Sequence, residues 1–414
     1  MNVGFLGLGK LGLPCALAIE SRGHEVLGYD ISQQVQKIIE TKRIPYREIG
    51  AQKLLEKSKI EIVGIPELVE HSEIIFVPIQ TPHDPQYEGA TKLPETRKDF
   101  DYTYLKAGIQ ELSNEIGKQS RDKVVIVIST VLPGTIRREI IPLLNEHVKL
   151  CYNPYFIAMG TTVGDFLYPE FFLFGVDDEG AARKAEEFYR TINPGSPFYK
   201  TTIENAELIK VAYNTFIGMK IVFANTLMEI CEFTGADVDD VTDALKLATD
   251  RIISPKYLSG GMGDGGGCHC RDNIALSWLA RELGLSYDIF ESLMIAREKQ
   301  TEWLAKWMMD LKWESLPKYI LGKAYKPETN LDIGSPSILL KNILEEWGEE
   351  VICWDPYIDK QEPEFNKGIY LIGTKHEDFK TFHFPLGSTV LDPWGYIPNQ
   401  KGIDVIRIGR SHEI

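Results

Sequence analysis

The chain has 414 residues, 43% hydrophobic and 25% charged, a soluble globular composition that is too long for one ordinary core. Its 45 basic and 60 acidic residues leave a net charge of -15, which argues against nucleic acid as a partner. No apolar run reaches membrane-spanning length, the N-terminus lacks the basic region of a signal peptide, and the six scattered cysteines suit a reducing, cytoplasmic setting.

Val3 to Leu6 is a short apolar run, read as a buried parallel strand. It feeds Gly7-Leu8-Gly9-Lys10-Leu11-Gly12, and a helical pattern then runs to Gly23. A second strand, Glu25 to Tyr29, ends on Asp30. Strand, glycine loop, helix, strand and acid, in that order, form a dinucleotide-binding fingerprint. The glycines let a pyrophosphate approach the helix N-terminus, where free N–H groups favour anions. Asp30 accepts from an adenosine ribose and repels a 2′-phosphate, so NAD is expected as cofactor, held by Gly7, Gly9, Lys10, Leu11, Gly12 and Asp30.

Strand-like runs follow at Ile74 to Pro78, Val124 to Ile128 and Val148 to Tyr152, with helical segments near Gln52 to Lys57 and Tyr104 to Gly117. Two strands end in polar turns, Gln80-Thr81-Pro82 and Ser129 to Thr135. In open α/β sheets such turns meet ligands, so Thr81 and Thr130 are candidate cofactor contacts. Gln86 to Arg97 is polar and reads as an exposed loop.

Ile203 to about Phe233 carries one long helical pattern, and further helices fit Val238 to Leu247, Asn273 to Leu283 and Tyr287 to Leu311. Lys210 and Asn214 share a helix face within the first. Between these helices lies Gly265-Gly266-Gly267-Cys268-His269-Cys270-Arg271-Asp272, where small walls and nearby charge suit a nucleophilic thiol. Cys268 and Cys270 lack a second ligand pair, so no metal is expected. After Pro317 the α/β pattern returns, with strands at Lys318 to Gly322, Val351 to Trp354, Thr389 to Asp392 and Asp404 to Ile408, and a helix at Pro336 to Trp347. The predicted fold class is α/β: two Rossmann-like doubly wound domains, 1–198 and 313–414, joined by a central all-helical segment, 199–312. A cleft between the two halves, faced by the Cys268 loop, and a homodimer through the long helix are expected.

The chain resembles the UDP-glucose/GDP-mannose dehydrogenase family from end to end. Matching stretches are Gly4 to Gly9 with Gly12-Leu13-Pro14, Ser129-Thr130-Val131, Asn153-Pro154, Ala206 to Lys210 with Asn214, Gly235 to Val238, Asp250-Arg251-Ile252, Gly265 to Asp272, and Ala324 to Pro327 with Thr329 and Ser335-Pro336. The resemblance implies a four-electron oxidation in which two NAD molecules take a sugar C6 alcohol, on a nucleotide sugar, to a carboxylate. It makes Cys268 the nucleophile that holds the aldehyde as a thiohemiacetal and then a thioester. Lys210 and Asn214 become oxyanion donors, and Asp272 and Thr130 serve proton transfer through a water. Tyr155, Lys210, Asn214, Arg251, Gly265, Tyr325 and Lys326 become substrate contacts, Arg251 reaching in from a neighbouring subunit. The departures cluster. Tyr155 and Met159 stand where the family has glutamates, the first of them its usual base. Leu331, Ile333 and Trp394 replace an aspartate and two arginines, and His269, Cys270 and Arg271 follow the nucleophile in place of phenylalanine, proline and lysine. An enzyme that stops at aldehyde or thioester, or a non-catalytic nucleotide-sugar- or NAD-binding paralogue, is the alternative.

Overall fold

The computed structural model describes residues 1–250, 257, 259–285, 287–310 and 316–410. It divides into two compact units, Met1–Pro82 with Phe100–Ala212 and His83–Asp99 with Tyr213–Ile414.

The first unit holds β1 (Asn2–Leu6), β2 (Glu25–Tyr29), β3 (Glu61–Ile62), β4 (Ile74–Val77), β5 (Lys123–Val127), β6 (Val148–Tyr152), β7 (Phe172–Gly175) and β8 (Phe198–Thr201). They form one sheet in the order β3-β2-β1-β4-β5-β6-β7-β8. Every pairing is parallel except β6 with β7. Strand order therefore reverses between β1 and β4, and the loops beyond their carboxyl ends form the switch point of a dinucleotide fold. All of β4 and β5 is buried, as the unalternating runs Ile74-Ile75-Phe76-Val77 and Val124 to Val127 imply for strands covered on both faces. Burial of each such Ile or Phe stabilises by about 1.5–3 kcal/mol. Helix α1 (Gly12–Glu20) follows β1, and its residues Gly12 to Ile19 are all buried. The other helices of this unit include α2 (Thr103–Gln119), α3 (Thr162–Leu167) and α4 (Glu179–Ile192), with shorter helices at Gln33–Thr41, Ala51–Lys57 and Ile65–His71. Strands β3, β7 and β8 are short and were not separable from loop by pattern.

Helix α5 (Ile203–Thr234) is continuous over 32 residues. In the second unit come α6 (Val238–Lys246), α7 (His269–Leu283) and α8 (Ile289–Asp310). A five-stranded parallel sheet then holds β9 (Lys318–Leu321), β10 (Val351–Trp354), β11 (Ile369–Ile372), β12 (Thr389–Asp392) and β13 (Asp404–Arg407), in the order β10-β9-β11-β12-β13. Helix α9 (Pro336–Glu346) packs Leu339, Leu340, Ile343 and Leu344 against Ile320, Leu371 and Leu391 of that sheet. Its N-cap Ser335 accepts from the N–H groups of Ser337 and Ile338. Helix α7 begins at His269, four residues before the expected start, which makes Cys268 its N-cap. No described helix is long and apolar enough to cross a membrane.

The polar stretch 86–97 is not the exposed loop its composition suggested. Tyr87 is buried and clusters with Cys270, Ile274, Met294 and Leu93. The Leu93 N–H donates to Glu298 at 2.6 Å, and the Ala90 carbonyl accepts from Asn342 at 2.6 Å. Its backbone polar groups are satisfied by α8 and α9, which allows a polar segment to be partly buried.

Candidate active site

In the first unit, the turn after β1 has the geometry that its glycines permit. The Gly7 N–H donates to the Tyr29 carbonyl at 2.8 Å, with φ of +115°. A Cβ on Gly12 would stand 2.3 Å from the Gly7 carbonyl oxygen, so only glycine closes this turn. A Cβ on Gly9 would meet nothing within 4 Å, and Gly9 and Lys10 are exposed. The N-terminus of α1 has no side-chain cap and no acidic residue in its first turn. Asp30 accepts from the Leu8 N–H at 2.7 Å and the Ser32 N–H at 2.8 Å. Half-buried Leu11 packs on the core. An open glycine turn, an uncapped helix start and a fixed ribose acid suit a dinucleotide.

Beside it, the turns after β4 and β5 are joined: the Thr81 hydroxyl donates to the Thr130 carbonyl at 2.7 Å. Tyr102 and Glu207 hold the second turn. The Tyr102 hydroxyl oxygen accepts from the Leu132 N–H at 3.3 Å. Glu207 of α5 is wholly buried and accepts from the N–H groups of Gly134 at 2.6 Å and Ile136 at 2.7 Å. Burial pushes the Glu207 carboxyl up to about 7, against the pull of those N–H groups. Sequence reading passed over Glu207, one of two glutamates in a mixed helix start with nothing local to set it apart from Glu204. One turn on, buried Lys210 places its ammonium 5.2 Å from the centre of the Phe156 ring.

Tyr155 turns its hydroxyl into the first unit. Its hydroxyl lies 2.9 Å from that of Tyr189, and the Tyr189 proton goes to Asn153 Oδ1. Tyr155 is therefore the donor in its own bond. Its ring sits edge-on to Phe166 and packs on the core of the first unit. Burial pushes its phenol well above the ordinary range. A phenol that donates inward and resists ionisation is no general base at neutral pH.

The second unit carries the thiol. Cys268 is exposed, whereas Cys270 is buried and burial pushes its thiol up to about 12. Among the described residues no three His, Cys, Asp or Glu side chains group as metal ligands. Asp272, one turn after Cys268 and fully buried, accepts from Asn214 Nδ2 at 2.7 Å and from Arg271 Nε at 3.2 Å. Next to this pair Thr215 donates to Asn273 at 2.9 Å. These consecutive pairs lock α7 to α5 at the thiol. His269 Nδ1 lies 2.8 Å from Oδ1 of buried Asp264.

The glycines before Cys268 make room for distant chain. A Cβ on Gly265 would lie 2.8 Å from the Pro336 ring, and one on Gly266, where φ is +95°, 2.8 Å from the Tyr325 ring. Buried Arg297 of α8 donates to the carbonyls of Asp264, Gly89 and Gly334, tying the Cys268 loop to two other segments. Arg297 was missed because its partners are backbone atoms far apart in sequence. Exposed Ile333 flanks Gly267, and half-buried Lys326 follows Tyr325. Trp394 packs its ring on Gly261 and donates to the Gly373 carbonyl at 3.3 Å, with the Lys375 ammonium 4.9 Å from its ring centre. Arg251 lies outside the described residues.

A second glycine corner repeats the first. After β9, Gly322 has φ of +99° and donates to the Trp354 carbonyl at 2.7 Å. Asp355, at the end of β10, accepts from the N–H groups of Lys323 at 2.7 Å and Ala324 at 2.9 Å. Here His376 Nε2 closes on Asp355 at 3.0 Å and both side chains are fully buried.

A parallel dinucleotide-binding sheet, followed by a unit bearing an accessible thiol beside a buried Asn–Asp pair, defines an NAD-dependent oxidoreductase. Residues 1–193 match the NAD binding domain, and residues 204–297 the central domain, of the UDP-glucose/GDP-mannose dehydrogenase family. The chain belongs to that family, whose members are nucleotide-sugar dehydrogenases. It is 29% identical over 369 residues to the UDP-glucose 6-dehydrogenase TuaD of Bacillus subtilis, covering 86% of this chain and 76% of that protein. It is 27% identical over 372 residues to the GDP-mannose 6-dehydrogenase of Pseudomonas aeruginosa, covering 87% and 82%. Its fold matches a UDP-glucose dehydrogenase of Pyrobaculum islandicum with a TM-score of 0.86 at 23% identity, over 99% of this chain and 98% of that one.

Proposed function

We propose that the chain oxidises the C6 alcohol of a nucleotide sugar, a UDP-sugar, to the carboxylate through a Cys268 adduct. The carrying observation is the exposed Cys268 thiol at the N-cap of α7, with Asp272 buried one turn behind it and bonded to Asn214. Bound NAD supplies the hydride acceptor for each oxidation. Cys268 Sγ adds to the aldehyde carbon, giving a thiohemiacetal whose oxidation leaves a thioester. The oxyanion formed on addition needs fixed donors. The Lys210 ammonium and the second N–H of Asn214 Nδ2 fill that role, since one Asn214 N–H already holds Asp272. Asp272 and the Thr130 hydroxyl serve proton transfer through a water. Gly265, Tyr325 and Lys326 bind the nucleotide sugar, together with Arg251 of a neighbouring copy. Residues 199–312 serve as the central dimerisation domain, and Phe216, Phe223 and Phe233 expose apolar rings along α5 that suit a homodimer in the cytoplasm. Static light scattering giving a monomer mass would sink the dimer.

The reaction that stops at aldehyde or thioester is the second reading, favoured by the inward-turned Tyr155 phenol at the position of the family's base. Both are tested by incubating the protein with a panel of UDP- and GDP-sugars and counting NADH per sugar consumed. Two NADH support the full reaction and one supports arrest. None across the panel overturns both. Cys268→Ser that still forms two NADH overturns the covalent route.

A further inference from the structure

The thioester in the proposed reaction has to be hydrolysed, and Tyr155 does not do it: its phenol donates into the core of the first unit and burial disfavours its ionisation. A base on the Cys268 loop itself would stand next to the adduct. His269 follows Cys268 directly, as the first residue of α7, and its side chain keeps 19% of its exposure. Its Nδ1 is 2.8 Å from Oδ1 of Asp264, whose side chain is only 4% exposed. A carboxylate accepts only, so Nδ1 carries the proton, and in the neutral ring the lone pair sits on Nε2.

Asp264 is itself fixed from several sides. Its carbonyl takes bonds from Arg297 Nε and, at 3.7 Å, from Cys270 Sγ. Its other carboxylate oxygen would stand 2.8 Å from a Cβ on Gly218, so α5 leaves a gap there by having glycine. Among the described residues, the titratable and charged groups around this end of α7 include Asp264, Asp272, Arg271 and Arg297, with His83 and Glu88 within electrostatic reach of Arg271. A buried acid holding one imidazole nitrogen, beside the residue that forms the adduct, is the arrangement that orients a general base.

We propose that His269, oriented by Asp264, is the general base for hydrolysis of the Cys268 acyl adduct. The inference rests on the thioester reading above. The water oxygen bonds to the acyl carbon while its proton passes to His269 Nε2. The carbon–sulfur bond then breaks with its electron pair returning to Cys268 Sγ. The product acid loses its remaining proton to solvent, and no further oxidant is consumed. His269 is the catalytic residue of this step and Asp264 the positioning residue.

The test is rapid acid quench with intact-protein mass, alongside NADH release, on the full chain with a UDP-sugar that the wild type turns over. His269→Ala should release two NADH per site in the first turnover and then stall. It should accumulate the acyl mass on Cys268, with kcat lower by roughly 100-fold or more. The acid limb of the deacylation pH profile should vanish, and added imidazole should restore turnover. Asp264→Asn should give the same adduct with a smaller loss. Where His269→Ala does not fold, His269→Gln carries the same readouts. Deacylation at the wild-type rate in these variants overturns the proposal, as does a loss confined to the first NADH. If wild type forms neither adduct nor second NADH, the thioester reading itself has failed, an outcome distinct from a failing His269 variant.

Discussion

Gly7 and Gly322 occupy matching corners in the two units, with opposite outcomes. Each follows the first strand of its βαβ start, has a positive φ, and donates to the last carbonyl of the neighbouring strand. Each is paired with an aspartate that accepts from N–H groups of the same turn. The first corner is open: Gly9 faces empty space and Asp30 is only half-buried. The second is sealed. A Cβ on Gly322 would be 2.8 Å from the Thr374 backbone nitrogen, and Asp355 is enclosed with His376. The same backbone device serves a ligand where its top is bare and serves the fold where side chains cap it.

The sharpest way to break this comparison is to remove the two acids. Asp355→Ala leaves the N–H groups of Lys323, Ala324 and Tyr357 and the His376 ring without their acceptor in a buried place, and should cost about 3–5 kcal/mol in chemical denaturation. Asp30 is half-buried and holds only the N–H groups of Leu8 and Ser32, so Asp30→Ala should lower stability far less than Asp355→Ala while weakening NAD roughly tenfold by calorimetry. A reversal of these two outcomes would overturn the distinction.

The two buried acids should also give opposite pH limbs. Burial raises the Asp355 carboxyl, but the bonds from His376 and the turn N–H groups outweigh it and hold the group below its ordinary 3.8. Its stabilisation is present above the unfolded pKa and is lost as pH falls through the folded value. Glu207 shifts the other way, from 4.5 to about 7, so the native state keeps its proton longer than the unfolded chain. Its contribution is fully present below pH 4.5 and lost by about pH 7, worth roughly 3 kcal/mol across that window. Glu207→Gln should flatten that limb in denaturation measured from pH 4 to 8; an unchanged slope would refute it.

Gly266→Ala should cost about 1–3 kcal/mol, from the strained φ and the Tyr325 ring, and lower turnover while NAD affinity stays unchanged. The smallest effect belongs to Gly9→Ala. It should shift stability by less than about 0.5 kcal/mol, because its Cβ meets nothing, yet weaken NAD several-fold. Wild-type NAD affinity in that variant would show that the open face is not the cofactor's.

The local motifs were legible in the chain. Gly7 to Gly12 closes on itself, so its meaning lies within six residues, and Asp30 accepts from the Ser32 N–H of its own loop. Long helical patterns gave α5, α7 and α8 to within a few residues, because an amphipathic or apolar stripe repeats along the element. Strands β7, β8 and β11 escaped the pattern reading. Tyr155 was placed by its position in a motif, and nothing in the motif reveals that Tyr189 and Asn153 turn its hydroxyl inward.

By itself the sequence determined the dinucleotide turn, the α/β class and the one cysteine worth watching, because these depend on neighbours a few residues apart. Only the tertiary structure decided the rest. It sealed the second corner with Thr374 and His376, buried Cys270 while leaving Cys268 exposed, and joined Asp272 to Asn214. Burial and hydrogen-bond partners are set by chain segments tens to hundreds of residues away, and they determine which of several similar side chains can ionise, accept or react.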